Sequence, residues 1–226
     1  MRLADQLKDY INAAFTGLWV QTQEPDEAER EIAQMARERS WRLAIWDVAQ
    51  GLRIPGGNID AGAADPIAAI KSLPNMIEAG GTTLLVLHNF HRFIGSPEAV
   101  QTTFAQLIAG KDQRAFLIVL SPVVQVPIEL EKLFVVIDHA LPDRDQLHRI
   151  GQEILSDPQY PMADPNNWNS ILDAAAGLTR YEAEGAFALS IARHNGLRPE
   201  SIWELKAQAL KKNNLLTLHR GEEKFS

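Results

Sequence analysis

A run of four aliphatic residues, Leu84 to Leu87, leads directly into His88 and Asn89. A buried strand that ends in two acidic residues can hold Mg²⁺ and activate a water molecule for hydrolysis. An imidazole and a carboxamide do neither task well for Mg²⁺, so this strand end does not predict hydrolytic chemistry. His88 and His91 could instead bind zinc, but the sequence offers no third ligand at a recognisable spacing. We therefore predict that these histidines are hydrogen-bonded residues at the polar end of a core strand and that no metal is bound.

Three further sets of residues could do chemistry, and each has a simpler structural interpretation. Ser121 follows the apolar run 115–120 and could be a nucleophile, but "VLSPV" lacks the tight glycine turn of a nucleophile elbow. Asp47 ends another apolar run, and we interpret it as a cap or turn residue. Trp41 and Trp46 lie around that same run and are more typical of a core than of a stacking surface. The sequence therefore predicts no catalytic residue.

The junction after the first apolar run, "VQTQEPDEAER", is where a phosphate-binding loop would have to lie. Such a loop has the pattern G-x-x-x-x-G-K-[ST], because glycines let backbone N–H groups wrap the phosphates, lysine neutralises charge and the hydroxyl binds Mg²⁺. This junction contains neither glycine nor lysine. Glu24, Asp26 and Glu27 instead stand at the start of the next helix, where carboxylates repel a triphosphate. We therefore predict that no nucleotide cofactor binds here.

A second segment, "GGNIDAGAA", matches only the glycine spacing of such a loop. Gly57 and Gly62 are correctly spaced, but Ala63 and Ala64 stand where lysine and a hydroxyl residue are needed. The segment also does not join a strand directly to a helix. Because glycine-only matches are loose, we interpret the stretch as a flexible loop.

The composition argues against several classes of protein. The 226 residues carry a formal net charge of −7 and no basic run longer than Lys211-Lys212, which disfavours a nucleic-acid partner. No cysteine is present, which excludes disulfides and thiolate catalysis and favours a cytoplasmic location. The sequence shows neither a signal peptide nor an apolar stretch of membrane-spanning length. We therefore expect a cytoplasmic protein with no membrane partner.

Residues 1–142 alternate between amphipathic helices and nearly all-apolar strands. The predicted strands are 17–22, 42–48, 84–87, 115–120 and 133–138. Pro25 suits a first helical turn, and Pro74 is expected to kink or split the helix over 65–79. The charges of "DEAEREIAQMARER" alternate at helical spacing, which we interpret as a solvated helix face. Strands of this kind are typical of a parallel sheet covered on both faces, so we predict a three-layer α/β core with a five-stranded parallel sheet.

Residues 143–226 have a different pattern, in which helices dominate and no further strand is predicted. Helices are indicated at 143–155, 168–176, 179–194 and 199–212. Thr179 and Glu182 are spaced as a capping box, and Gly196 is expected to end that helix. The prediction is a small all-helical domain after the α/β core.

This layout resembles the AAA+ ATPases. "LLVLHNF" is similar to their magnesium-binding strand, which normally ends in Asp-Glu, so His88 and Asn89 stand at the Walker-B-like positions. "FLIVLSPVVQVPIELEKLFVVIDHALPDRDQL" is similar to their fourth strand, a sensor turn at Ser121, the fifth strand and the entry to a helical lid, and "GLTRYEAEGAF" is similar to a lid helix. More narrowly, "WDVAQGL", "LSPVVQVPIELEK" and "GLTRYEAEGAFALSI" resemble the N-terminal half of the Ycf-type AAA proteins, which are named for a hypothetical chloroplast reading frame and also occur in bacteria.

The resemblance implies a P-loop-NTPase-like core over 1–142, with the first strand central between the third and fourth, and a helical lid and linker over 143–226. A complete ATPase module follows this region in that family. "LLTLHRGEEKFS" resembles the linker before it, so the chain resembles a truncated form of a longer protein. ATP and Mg²⁺ are implied for that downstream module rather than for this region. The implied partners are the downstream ATPase module and a homo-oligomeric ring of the full-length protein.

Four elements of phosphoryl-transfer chemistry depart from the AAA+ pattern together. The phosphate-binding loop and the two strand-end carboxylates are missing, Pro122 takes one of the two polar sensor positions, and no arginine finger lies between Ala115 and Asp143. We therefore expect a non-catalytic AAA+-like domain that serves in interaction, ring assembly or target presentation. Two alternatives remain open: a regulatory domain that binds ATP or ADP without hydrolysing it, and a free-standing scaffold protein.

Overall fold

The computed structural model describes residues 2–55, 64–77, 80–156 and 165–211. The chain divides into two compact units, Met1–Ala140 and Leu141–Ser226, and each has a hydrophobic core of its own. None of the helices in the described ranges is long and apolar enough to cross a membrane.

The first unit is built on a sheet whose strands are mostly aliphatic. The strands are β1 (Gly17–Gln21), β2 (Arg42–Asp47), β3 (Gly51–Arg53), β4 (Thr83–His88), β5 (Ala115–Ser121) and β6 (Phe134–Asp138). They form one six-stranded sheet in the order β3-β2-β4-β5-β1-β6. β4 and β5 are buried along nearly their whole length, as expected for central strands of a sheet covered on both faces.

Helices cover both faces of this sheet and make three layers. They are α1 (Leu3–Asn12), α2 (Pro25–Glu38), α3 (Pro66–Ser72) and α4 (Pro97–Gln113), with short 3-10 helices at Leu73–Met76 and Phe90–Arg92. The apolar sides of α1 and α2 pack on one face of the sheet, and those of α3 and α4 pack on the other. Pro25 is the first residue of α2, and the helix around Pro74 is split into α3 and a 3-10 turn, so both proline predictions are confirmed.

The prediction of five parallel strands is wrong, because the sheet contains a sixth strand that runs antiparallel. β3 pairs antiparallel with β2, while the other neighbours in the sheet are parallel. A tight turn produces this hairpin: Asp47 Oδ1 accepts hydrogen bonds from the backbone nitrogens of Ala49 at 2.9 Å and Gln50 at 2.8 Å. Gly51 follows with φ of 71°, which glycine adopts without strain. β3 has only three residues, and the turn before it determines where it lies. The sequence therefore contains no apolar run that would predict this strand.

The predicted position of the first strand is also wrong. β1 was expected between the third and fourth predicted strands, which are β4 and β5, but it lies between β5 and β6. The segment 122–133 crosses over Trp19 of β1, whose indole nitrogen donates to the carbonyl oxygen of Val123 at 3.1 Å. This crossing carries the chain past β1, so β6 pairs with the far side of β1 and forms the edge of the sheet.

The described residues of the second unit form helices joined by short loops. Its helices are α5 (Arg144–Ile154), α6 (Pro165–Ala175), α7 (Arg180–His194) and α8 (Pro199–Lys211), and they enclose a core that includes Ile171 and Phe187. The predicted capping box is present at the start of α7, where the Thr179 side chain and Glu182 bond reciprocally. The predicted stop at Gly196 is off by one residue. Asn195 ends α7 in the left-handed conformation with φ of 54°, which asparagine adopts more readily than most other residues.

Candidate functional site

Ligands of open α/β sheets bind where the parallel strands end at their carboxyl side, so that edge is where a site is expected. β4 ends at His88, β5 ends at Ser121, and Thr22 directly follows β1. The backbone nitrogen of Asn89 donates to Leu120 O at 2.8 Å, which joins the tips of β4 and β5. The structure therefore brings the Walker-B-like positions and the sensor-like serine to neighbouring strand ends.

The loop from β1 to α2 consists of residues 22–24, since β1 ends at Gln21 and α2 begins at Pro25. Thr22 Oγ1 accepts a hydrogen bond from the backbone nitrogen of Glu24 at 2.9 Å, which closes the loop on itself. A phosphate-binding loop needs several residues whose N–H groups point at the ligand, followed by lysine. This short, internally bonded loop with a carboxylate at its end does not fit a triphosphate.

A cluster of four charged or titratable side chains occupies the same edge of the sheet; we call it the Glu29 cluster, and it contains Glu29, Asp47, Arg53 and His88. Arg53 Nη1 and Nη2 donate to the two carboxylate oxygens of Glu29 at 3.0 and 2.8 Å. His88 Nε2 lies 2.8 Å from Glu29 Oε2, although this oxygen is off the ring N–H direction, so the contact is a close polar one rather than an aligned hydrogen bond. Arg53 Nε lies 3.6 Å from Asp47 Oδ2. Arg53 of β3 and His88 of β4 thus meet at the carboxylate of Glu29 on α2, and Asp47 of β2 approaches Arg53.

Glu29 is held in its ionised form by these neighbours. Burial alone raises the pKa of Glu29, but the contacts with His88 and Arg53 outweigh it and lower that pKa to about 2. The pKa of Arg53 is raised, chiefly by the hydrogen bonds to Glu29. The ionised Glu29 carboxylate is therefore paired at neutral pH with Arg53, a cation of the protein itself.

Glu29 and Arg53 were missed by reasoning from the sequence. The charges of α2 were predicted to form a solvated face, and Arg30 does lie on one, with a side chain that is 63% exposed. Glu29 is only 20% exposed because it borders the buried stripe that contains Ala28 and Ile32. In the sequence, only the position of Glu29 next to this buried stripe could have indicated that its side chain is not fully exposed.

A second polar contact lies on the other side of β1. His139 Nδ1 lies 2.8 Å from Thr22 Oγ1, and His139 Nε2 lies 3.6 Å from Glu31 Oε1. The contact with His139 lowers the pKa of Glu31 more than burial raises it. A hydroxyl, an imidazole and a carboxylate in this order are the groups that nucleophilic catalysis uses, but Thr22 is only 3% exposed and cannot reach a substrate. We interpret this contact as a structural link between α2 and the ends of β1 and β6.

The remaining predicted residues have local structural roles. Asn89 takes the left-handed conformation with φ of 53° at the start of a 3-10 turn. The Ser121 hydroxyl is buried and contacts the carbonyl oxygen of Val123, which shapes the turn after β5. Burial, with a smaller effect of the neighbouring arginine, lowers the pKa of His91. Within the described ranges, no group of three or more metal-binding side chains is assembled.

The interpretations of Asp47 and of the two tryptophans near β2 are confirmed. Asp47 has the predicted turn role. Trp46 is fully buried, and Trp41 packs partly buried against the core, as predicted. Gly57 and Gly62 lie outside the described residues.

Comparison with solved structures shows the AAA+ fold. A chain of the E. coli MS115-1 HORMA:CdnC:Trip13 complex is similar with a TM-score of 0.58 and 10% identity, over 89% of this chain and 85% of that chain. The FIGL-1 AAA domain in complex with ADP is similar with a TM-score of 0.56 and 10% identity, over 84% and 70%. C. elegans PCH-2 is similar with a TM-score of 0.51 and 9% identity, over 94% and 69%. At these identities the likeness concerns the fold alone.

Family comparison is more specific than the structural likeness. Residues 3–139 match the family described as SpoVK-like AAA ATPase, N-terminal domain. Residues 145–213 match the family described as SpoVK-like AAA ATPase, second domain. No curated protein sequence matches the chain. Because the first match spans more than half of the chain, the protein belongs to the SpoVK-like AAA ATPases, of which it carries the N-terminal and second domains.

Proposed function

We propose that this chain is a non-catalytic AAA+-type region that works through interaction, either in assembling a ring or in presenting a target to an ATP-hydrolysing AAA+ module. The observation that carries the proposal is the Glu29 cluster. Glu29 and Asp47 put negative charge at the edge of the sheet where AAA+ chemistry would need a phosphate cradle, and Arg53 is already engaged by Glu29. A polyphosphate there would have to displace a bidentate arginine pair and approach carboxylates.

The surroundings of β1 support the same proposal. The loop 22–24 is closed by the hydrogen bond from Glu24 N to Thr22 Oγ1, and α2 begins with Asp26 and Glu27 in its first turn. Carboxylates in the first turn of a helix offset the positive end of the helix dipole, which would otherwise attract a phosphate. ATP and Mg²⁺ are accordingly proposed for a separate ATPase module of the parent protein and not for this region.

The parent protein is proposed to be a Ycf-type AAA+ ATPase. The family descriptions name the N-terminal and second domains of an AAA ATPase, which supports a third, ATP-hydrolysing module as the partner of this chain. In this proposal the unit 141–226 acts as a lid-like domain of the non-catalytic region, and ATP-driven ring formation raises the effective concentration of neighbouring copies to the millimolar range.

Light scattering coupled to size-exclusion chromatography tests this role. The 226-residue chain is expected to be mainly monomeric at micromolar concentration, with or without ATP, since the nucleotide and arginine finger that couple AAA+ neighbours are missing. The parent protein with its ATPase module is expected to form a larger assembly that tightens with ATP. A stable hexamer of the chain without nucleotide would contradict the proposal and favour an intrinsic scaffold.

A further inference from the structure

β6 forms an edge of the sheet with hydrogen-bonding groups that face outward. His139 N donates to Gln21 O of β1 at 2.9 Å, so the backbone groups of Ile137 and Val135 also point toward β1. Because successive residues of a strand alternate, the N–H and C=O groups of Val136 and the N–H of Asp138 point away from the sheet. In the described part of the chain, β6 has β1 as its one strand neighbour.

The side chains beside this edge are apolar and exposed. Val136 is 48% exposed and is the register partner of Trp19. Val123 is 39% exposed, and its carbonyl accepts the indole N–H of the same Trp19. Both valines therefore lie next to the same buried tryptophan, and each leaves part of its apolar side chain exposed near the edge of the sheet. Natural sheets normally protect such an edge with lysine, proline or a bulge, and β6 has none of these.

Charge decides between the possible occupants of this edge. Glu129 and Glu131 are exposed just before β6, Asp138 is exposed at its end, and Lys132 is the single cation among them. A second copy of the chain would bring a like net charge of −7 to this acidic edge. A basic segment would instead be attracted.

We propose that the β6 edge binds an extended, lysine- or arginine-bearing segment of a partner protein, which adds to the sheet as a further strand and places alternate apolar side chains on Val136 and Val123. The mode is strand addition, in which main-chain hydrogen bonds give affinity and side chains give selectivity. This inference rests on the proposed interaction role and names the surface that performs it.

A blocked peptide of about eight residues that alternates valine and lysine is the probe, and binding to the full chain is followed by NMR at low salt. The amides of Val136 and Asp138 are expected to shift and to become protected from hydrogen exchange. Val136→Lys is expected to weaken binding about tenfold or more, because it places a charge on the edge that repels the peptide. The matched control is Val48→Lys, an exposed valine after β2, on the other half of the sheet, which is expected to leave binding unchanged.

A peptide that alternates valine and glutamate is expected to bind about tenfold or more weakly than the lysine peptide, and added salt should reduce this difference. Equal affinity for the two peptides, or equal binding by wild type and Val136→Lys, would overturn the proposal. Self-association of the chain that Val136→Lys abolishes would also overturn it and assign the edge to a second copy. The peptide assay contains no nucleotide, so a lack of peptide binding would not contradict the proposed non-catalytic role. Nucleotide binding by the chain would contradict that role, whether or not the peptide binds.

Discussion

At the scale of single residues, Glu29 determines how the strand ends are held. Its carboxylate contacts Arg53 and His88 and ties α2 to β3 and β4. Because the pKa of Glu29 is about 2 in the folded chain and about 4.5 when unperturbed, its contribution to stability is fully present above pH 4.5. That contribution is lost as the pH falls from about 4.5 toward 2.

Glu29→Gln is therefore expected to lower the free energy of unfolding at pH 7 by about 1–2 kcal/mol, since Arg53 loses its ionic partner and partial exposure screens the pair. The difference from wild type should shrink steadily between pH 4.5 and about 2. Urea unfolding at several pH values measures both effects. Glu38→Gln, an exposed residue on the same helix, is the control and should change stability by less than about 0.5 kcal/mol. A pH-independent difference would show that Glu29 acts through packing alone.

Restoring the two strand-end carboxylates is not expected to restore activity. The double substitution His88→Asp with Asn89→Glu should give no ATP turnover, because the loop 22–24 still offers no phosphate cradle. It should also destabilise the chain by about 1–3 kcal/mol, because a carboxylate at position 88 would face Glu29 at close range.

A phosphate-release assay and thermal unfolding measure the two results. Asn89→Asp is the matched control, since aspartate also tolerates the left-handed conformation and adds a carboxylate while His88 stays in place. Measurable turnover by the double variant would mean that the residues after β1 do hold phosphates.

At the scale of elements, apolar runs carried most of the information in the sequence. The strands β4 and β5 were predictable because nearly every side chain in them is apolar and buried. The hairpin strand β3 was not, because Gly51–Arg53 is set by a turn rather than by hydrophobic pattern. The Glu29 cluster was not predictable either, because its members come from α2, β2, β3 and β4 and meet only once the strand order is fixed.

Two glycines inside helices give a matched pair of predictions. A Cβ at Gly110 of α4 would clash with the carbonyl oxygen of Ala115, where the chain enters β5, whereas a Cβ at Gly185 of α7 would meet no atom within 4 Å. Gly110→Ala should therefore destabilise the first unit by about 1–3 kcal/mol. Gly185→Ala should stabilise the second by about 0.4–1 kcal/mol, because alanine is the better helix former.

Denaturant unfolding followed by circular dichroism checks both substitutions. If Gly110→Ala were as favourable as Gly185→Ala, the close approach of α4 to the start of β5 would not be a constraint on the fold.

At the scale of the whole molecule, the chain combines an AAA+ fold with a carboxylate–arginine pair at the strand ends. Its fold resembles that of the FIGL-1 AAA domain, and its family is that of the SpoVK-like AAA ATPases. The carboxyl edge of its sheet is held by Arg53, Glu29 and His88. The same layered architecture can serve interaction as well as catalysis, because a fold does not by itself determine a function.

Isothermal titration of Mg²⁺–ATP into the 226-residue chain is the most direct test of this account. We predict no saturable isotherm and no rise in thermal stability, whereas a ligand at about 100 times its Kd would add about 2.7 kcal/mol to the free energy of unfolding. A saturable isotherm with micromolar Kd would contradict it, because ATP would then bind despite the carboxylates and the closed loop after β1.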